Sequence, residues 1–218
     1  MVVDFLPSAR MNKTSVDETV SPDIQALKDK LKALLRHASI SRLKNHADDA
    51  EVEARELGAA FRPGRILASN MVFILVSGDA LRLTFKVHFE TGTAKQLAFA
   101  IFGGDSPWAI SQRQAIDYFK EYGNLVAGSM VTLLAESGVE LGISLPLSTR
   151  GFYEVFSDYS EKLDPIVAFS DFWELRTNGR SIHCGAQFEI LNPRQLADLA
   201  AYEIVEEADS ADAEMDFL

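Results

Sequence analysis

Apolar residues recur along this 218-residue chain with two different periods, and the changes of period mark its elements. Ile24, Leu27, Leu31, Leu34 and Leu35 stand three and four apart, the spacing of one helix face. Ser21-Pro22-Asp23 precedes them with a capping hydroxyl, a proline where no amide is missed and an acid in the first turn. An amphipathic helix is predicted over 22–38. Between residues 80 and 89 the period falls to two: Leu81, Leu83, Phe85, Val87 and Phe89 alternate with Arg82, Thr84, Lys86 and His88. That alternation predicts a strand with one buried face and His88 on the outward one. ILASNMVFILV (66–76), joined to it through Ser77-Gly78-Asp79, predicts its hairpin partner. TAKQLAFAIFGG (93–104) returns to helical spacing and ends at Gly103-Gly104, where a left-handed cap is tolerated. Pro107 and Trp108 lead into a long helix over about 110–137, stopped by Ser137-Gly138.

Strands are then predicted at VELGISLP (139–146), FYEVFS (152–157), IVAFSDFWELR (166–176) and SIHCGAQFEI (181–190). Asn178-Gly179 between the last two is the strongest short hairpin signal. Pro193 begins a final short helix. Helices, a hairpin, a long helix and then antiparallel strands predict an α+β fold in one domain over 21–204. Residues 1–20 are polar and aperiodic and read as flexible. Residues 39–64 are charged and alanine-rich, and fit either another helix with a thin apolar stripe or a mobile excursion. Residues 205–218 carry six acids and no base and read as a flexible tail.

Charge narrows the partners. With 21 basic against 32 acidic residues the net charge is −11, which opposes binding to nucleic acid or an anionic membrane surface. No apolar run is longer than that from Met71 to Val76, which is far short of the roughly 20 residues of a membrane helix. The amino terminus lacks the pattern of a secretion signal, so a cytoplasmic location is expected. The single cysteine, Cys184, reads as a small core residue. His37, His46, His88 and His183 are scattered without metal-ligand spacing, so no metal site is expected. Asp171, Glu174 and Glu189 read as charges on strand faces.

The long helix carries the most specific chemistry. At 100° per residue, Ile116, Phe119, Gly123, Ala127, Met130 and Leu134 share a sector of roughly 80°, the core stripe. Asp117, Glu121, Asn124 and Gly128 share a second sector of roughly 60°. Charged ridges are usual on amphipathic helices. Two interior glycines are not, since each costs roughly 1 kcal/mol relative to alanine. Close approach of a partner is one reason for them, and packing of Gly123 on the sheet is another.

The pattern Asp117-x3-Glu121-x2-Asn124, continued as Asn-Leu-Val-Ala-Gly over 124–128 and followed by Pro146 after a strand, resembles the CheC/CheX-type phosphatases of bacterial chemotaxis. A single Glu-x2-Asn pair makes the chain most similar to CheX. The resemblance covers about 22–191, with 39–64 an insertion. Tyr122-Gly123 departs from the apolar residue and alanine expected of that family, and Pro146 comes one residue early. The resemblance implies a CheC-like fold: an antiparallel sheet packed against a long motif-bearing helix and shorter helices. It implies removal of phosphate from the aspartyl-phosphate of a CheY-like response regulator. Asn124 would position the attacking water, since a carboxamide donates and accepts hydrogen bonds without titrating. Glu121 would pair with a regulator lysine, and Asp117 and Gly128 would belong to the docking surface. No cofactor is implied for this chain; the magnesium ion would belong to the regulator. A homodimer through the sheets is also implied. Two alternatives stay open: a catalytically silent module that binds a receiver domain, and a structural subunit.

Overall fold

The computed structural model describes residues 23–47, 51–57, 68–150 and 166–202. Expectations for 1–20, the 152–157 strand and the acidic tail lie outside them. Helix α1 (Ile24–His46) is followed by strands β1 (Glu53–Glu56), β2 (Asn70–Ser77) and β3 (Leu81–Phe89). Helix α2 (Thr91–Phe102), a 3-10 turn (Pro107–Ala109) and helix α3 (Gln112–Glu136) come next. The chain then adds β4 (Gly142–Ile143), β5 (Leu147–Arg150), β6 (Val167–Thr177), β7 (Arg180–Ile190) and a 3-10 segment (Pro193–Ala201) in place of the expected final α-helix. The described strands form one antiparallel sheet in the order β1-β6-β7-β3-β2, with β4 and β5 both paired to β2. The α+β expectation and both predicted hairpins are met.

Register explains where the core lies. Val72, Val87, Cys184 and Trp173 form one lateral row across four strands, and Val76, Leu83, Phe188 and Phe169 another. These rows face α1 and α3, whose Leu27, Leu31, Leu34, Phe119, Tyr122 and Met130 are buried with them. Asp171 lies on the same face, in the row of Ile74, Phe85 and Ala186. Its carboxylate is answered by Arg36 of α1 through bonds of 2.7 and 2.5 Å, and Arg36 reaches Glu56 of β1 at 3.0 Å. Burial works against the Arg36 charge, but hydrogen bonds to the two carboxylates outweigh it and raise its pKa.

Three expectations are corrected. The first helix does not stop at 38. Ser39 is tolerated inside it because its hydroxyl donates to the Arg36 carbonyl and accepts from the buried Trp173 indole, so the helix runs on to bury Leu43 and His46. The described residues of the 39–64 region therefore belong to a helix end and to an edge strand, β1, whose EARE side chains are all exposed. A charged edge of this kind discourages further strand pairing. The acids on strand faces are not solvated: Asp171, Glu174 and Glu189 are buried, Glu174 against Arg55 (2.6 Å) and Arg176 (3.2 Å), Glu189 against Arg82 (2.9 Å). His88 is also buried, in a row with Met71, His183 and Glu174, and its Nε2 has no hydrogen-bond partner. Alternation reports which face a side chain takes, not whether that face is covered.

Candidate functional site

Helix α3 begins with a capping box. The Ser111 hydroxyl accepts from the Gln114 amide, and the Gln114 side-chain oxygen accepts from the Ser111 amide. From this fixed start the helix buries a wider sector than the sequence stripe suggested. Tyr118, Tyr122 and Val126 are buried, whereas Ile116 is only half-buried. The reason is a second neighbour: α3 packs on α1 as well as on the sheet. The Tyr122 hydroxyl donates to the Ser39 carbonyl (2.9 Å), and the Tyr118 hydroxyl to the His46 carbonyl (3.1 Å). His46 Nε2 returns the contact at 3.0 Å from the Tyr118 carbonyl, and the rings stack with centroids 4.1 Å apart. Burial lowers the His46 pKa, partly offset by that carbonyl and by the charge of Glu121. Tyr122, the departure from the family pattern, is thus a core residue whose one polar atom is satisfied. Burial raises its hydroxyl pKa well above the ordinary value.

These contacts fix the azimuth of the polar ridge. Asp117 and Glu121 are exposed, and Asn124 and Gly128 are half-buried. Asn124 Nδ2 lies 3.4 Å from Glu121 Oε2, so carboxamide and carboxylate stand side by side one turn apart. Asp117 is flanked by Arg113 at 3.6 Å and Lys120 at 3.7 Å. Pairs this exposed hold little energy, so Asp117 is free to exchange them for a partner's charge. A Cβ added to Gly128 would meet nothing within 4 Å, whereas one on Gly123 would stand 3.6 Å from Val72 Cγ1. The two glycines have different surroundings: Gly123 faces the sheet and Gly128 faces open space.

Pro146 does not end a continuous strand. β4 pairs with Val76 and Ser77, β5 with Asn70 to Phe73, and three residues, 144–146, oppose two of β2. The bulge is held by the Ser144 amide on the Leu75 carbonyl (2.9 Å) and the Leu75 amide on Ser144 Oγ (3.0 Å). β4 follows the carboxyl end of α3, while Ser148, Thr149 and Arg150 line a cleft of about 250 Å³ with Ile116 near its amino end. The Pro146 bulge therefore falls between these two ends of α3, at the level of its middle turns. Leu145, next to it, is 83% exposed.

The ridge offers hydrogen bonds and negative charge but no strong base or nucleophile. Among the described residues no group of three His, Cys, Asp or Glu side chains is placed to hold a metal ion. No helix among them is long and apolar enough to cross a membrane.

No protein-family model and no curated protein matches this sequence. Solved structures do match. A chemotactic CheC-like protein from Shewanella oneidensis shares 15% identity at a TM-score of 0.58, over 74% of this chain and 99% of its own. CheX of Borrelia burgdorferi, solved as a CheX-CheY-BeF3-Mg complex, shares 15% at 0.56, over 73% and 97%. FliY of Thermotoga maritima shares 13% at 0.50, over 82% and 97%. Identity this low speaks for architecture alone. The order of strands, the long helix over the sheet and these superpositions together show that the chain has the fold of the CheC/CheX-like chemotaxis proteins.

Proposed function

We propose that this protein is a phosphatase of phospho-aspartyl CheY-like response regulators. The observation that carries the reading is the solvent-facing pair Glu121–Asn124 on a helix locked from behind by Tyr118, Tyr122 and His46. The Borrelia burgdorferi CheX structure with CheY supports the choice of partner.

Hydrolysis of an acyl phosphate needs a water in line with the phosphorus and neutralisation of equatorial charge. Asn124 supplies the first: its carbonyl oxygen accepts from the water while its amide group donates, and neither changes protonation near neutral pH. Glu121 anchors a regulator lysine, a contact that strengthens as the interface desolvates. Asp117 and Gly128 complete the docking face, the one by charge and the other by offering no side chain. The divalent ion of this chemistry would belong to the regulator and would neutralise developing phosphate charge there. A homodimer through the sheets is part of the proposal, with Ile143, Leu145 and Leu147 on the β4–β5 edge as exposed apolar contacts.

The test is the decay of a radiolabelled phospho-receiver with and without the protein. Asn124→Ala is expected to remove the acceleration while docking persists, and Glu121→Ala to weaken both. A second reading has its own support in the likeness to FliY and to FliM from H. pylori, solved with SpeE: the fold then serves only for association. Under that reading no receiver is dephosphorylated and neither substitution has an effect.

A further inference from the structure

Trp108 is 72% exposed on a turn with no slack in it. Ser106 Oγ accepts from the Trp108 amide at 3.0 Å, and the Ser106 and Pro107 carbonyls accept from Ala109 and Ile110. Pro107 fixes the turn's first residue. Ile110 is buried and pins the turn to the core, and Ser111 caps α3 directly after it. Phe102, at the end of the packed neighbour α2, is also exposed, at 49%. A large indole held in water by a rigid turn has no role in folding, since exposed aromatic surface gains nothing there. Rigid exposed tryptophans are instead the residue type that most often dominates a protein interface. Asp117 follows the Ser111 cap by six residues, about 9 Å along the helix at 1.5 Å per residue. Trp108 therefore stands just before the amino-terminal end of the helix that carries the polar ridge, close enough along the axis for one domain-sized partner to reach both.

We infer that Trp108 is the apolar anchor of the receiver-docking surface, entering a hydrophobic depression of the regulator while Asp117 and Glu121 meet its basic groups. This rests on the proposed receiver partner and goes beyond it, because the acidic ridge alone sets encounter and register and contributes little apolar burial. The expected division is that the ridge governs salt dependence and Trp108 governs complex lifetime.

The chain has two tryptophans, and the other, Trp173, is completely buried, so intrinsic fluorescence separates them. The experiment titrates the full-length protein with receiver domains from its own organism, activated with beryllofluoride and magnesium, while acrylamide quenching of the long-wavelength emission is followed. The expected result is protection of that emission on binding and a rise of about tenfold or more in Kd for Trp108→Ala, partly restored in Trp108→Phe, with unchanged thermal unfolding. A receiver that binds and is dephosphorylated, with Trp108 still quenchable and Trp108→Ala binding equally well, overturns the anchor and leaves the phosphatase reading standing. Failure of every receiver to bind overturns both. Protection that grows with protein concentration in the absence of any receiver assigns Trp108 to self-association and overturns the inference.

Discussion

Gly128→Ala should make the protein more stable and its docking weaker. A Cβ at this position meets nothing within 4 Å, and no left-handed backbone angle is recorded there, so the methyl costs neither a clash nor strain. Replacing an interior helical glycine by alanine is then worth about 1 kcal/mol, mostly by restricting the unfolded chain. For a domain of this size that corresponds to a rise of about 2–4 °C in melting temperature. Gly123→Ala makes the comparison sharp. Its methyl would lie 3.6 Å from Val72 Cγ1, an ordinary contact on the sheet side, so burial adds to propensity and the gain is about 1–2 kcal/mol. The two variants should part in function, because of the two glycines only Gly128 lies on the ridge proposed to dock the regulator. Urea and thermal unfolding measure the first effect, and binding of a beryllofluoride-activated receiver the second. Loss of stability in Gly128→Ala would refute the open space assigned to it. Equal docking by both variants would refute its place in the interface.

Tyr122→Phe removes the donor to the buried Ser39 carbonyl and should cost about 1–2 kcal/mol in urea unfolding, with the fold retained. Gly78→Ala would bring a methyl to 2.3 Å from the Glu140 carbonyl oxygen, so a loss of about 1–3 kcal/mol is expected by the same measurement. His88 is depressed to about 4 from its ordinary 6.5, by burial first and then by Lys86 and His183. Its unfolded form binds the proton first as pH falls, so His88 favours the folded state fully above pH 6.5. That contribution, up to about 3 kcal/mol, is lost as pH drops towards 4. Unfolding at pH 7 and pH 5 should show a smaller difference in His88→Met than in wild type, and an identical difference would refute the assignment.

Period and punctuation determined much of this protein. The clean alternation in β3, the Asn-Gly turn before β7 and the stop at Ser137-Gly138 are local, and each element appeared where those signals placed it. Asp117, Glu121, Asn124 and Gly128 were legible as one ridge because a helix converts spacing directly into azimuth. What lies opposite a residue is a different quantity, set by elements remote in the chain. Ser39 read as a helix end until Trp173, 134 residues away, supplied its partner. Asp171 and Glu174 read as strand-face charges and His88 as an outward residue; in the fold all three are buried, with Arg36 and Arg55 paired to the two acids. The split of 142–150 around Pro146 depends on how β2 pairs, and the 72% exposure of Trp108 on what does not pack against it. Local backbone preference wrote the elements and the motif; burial and pairing, which exist only once distant segments meet, decided which polar groups are structural and which face solvent.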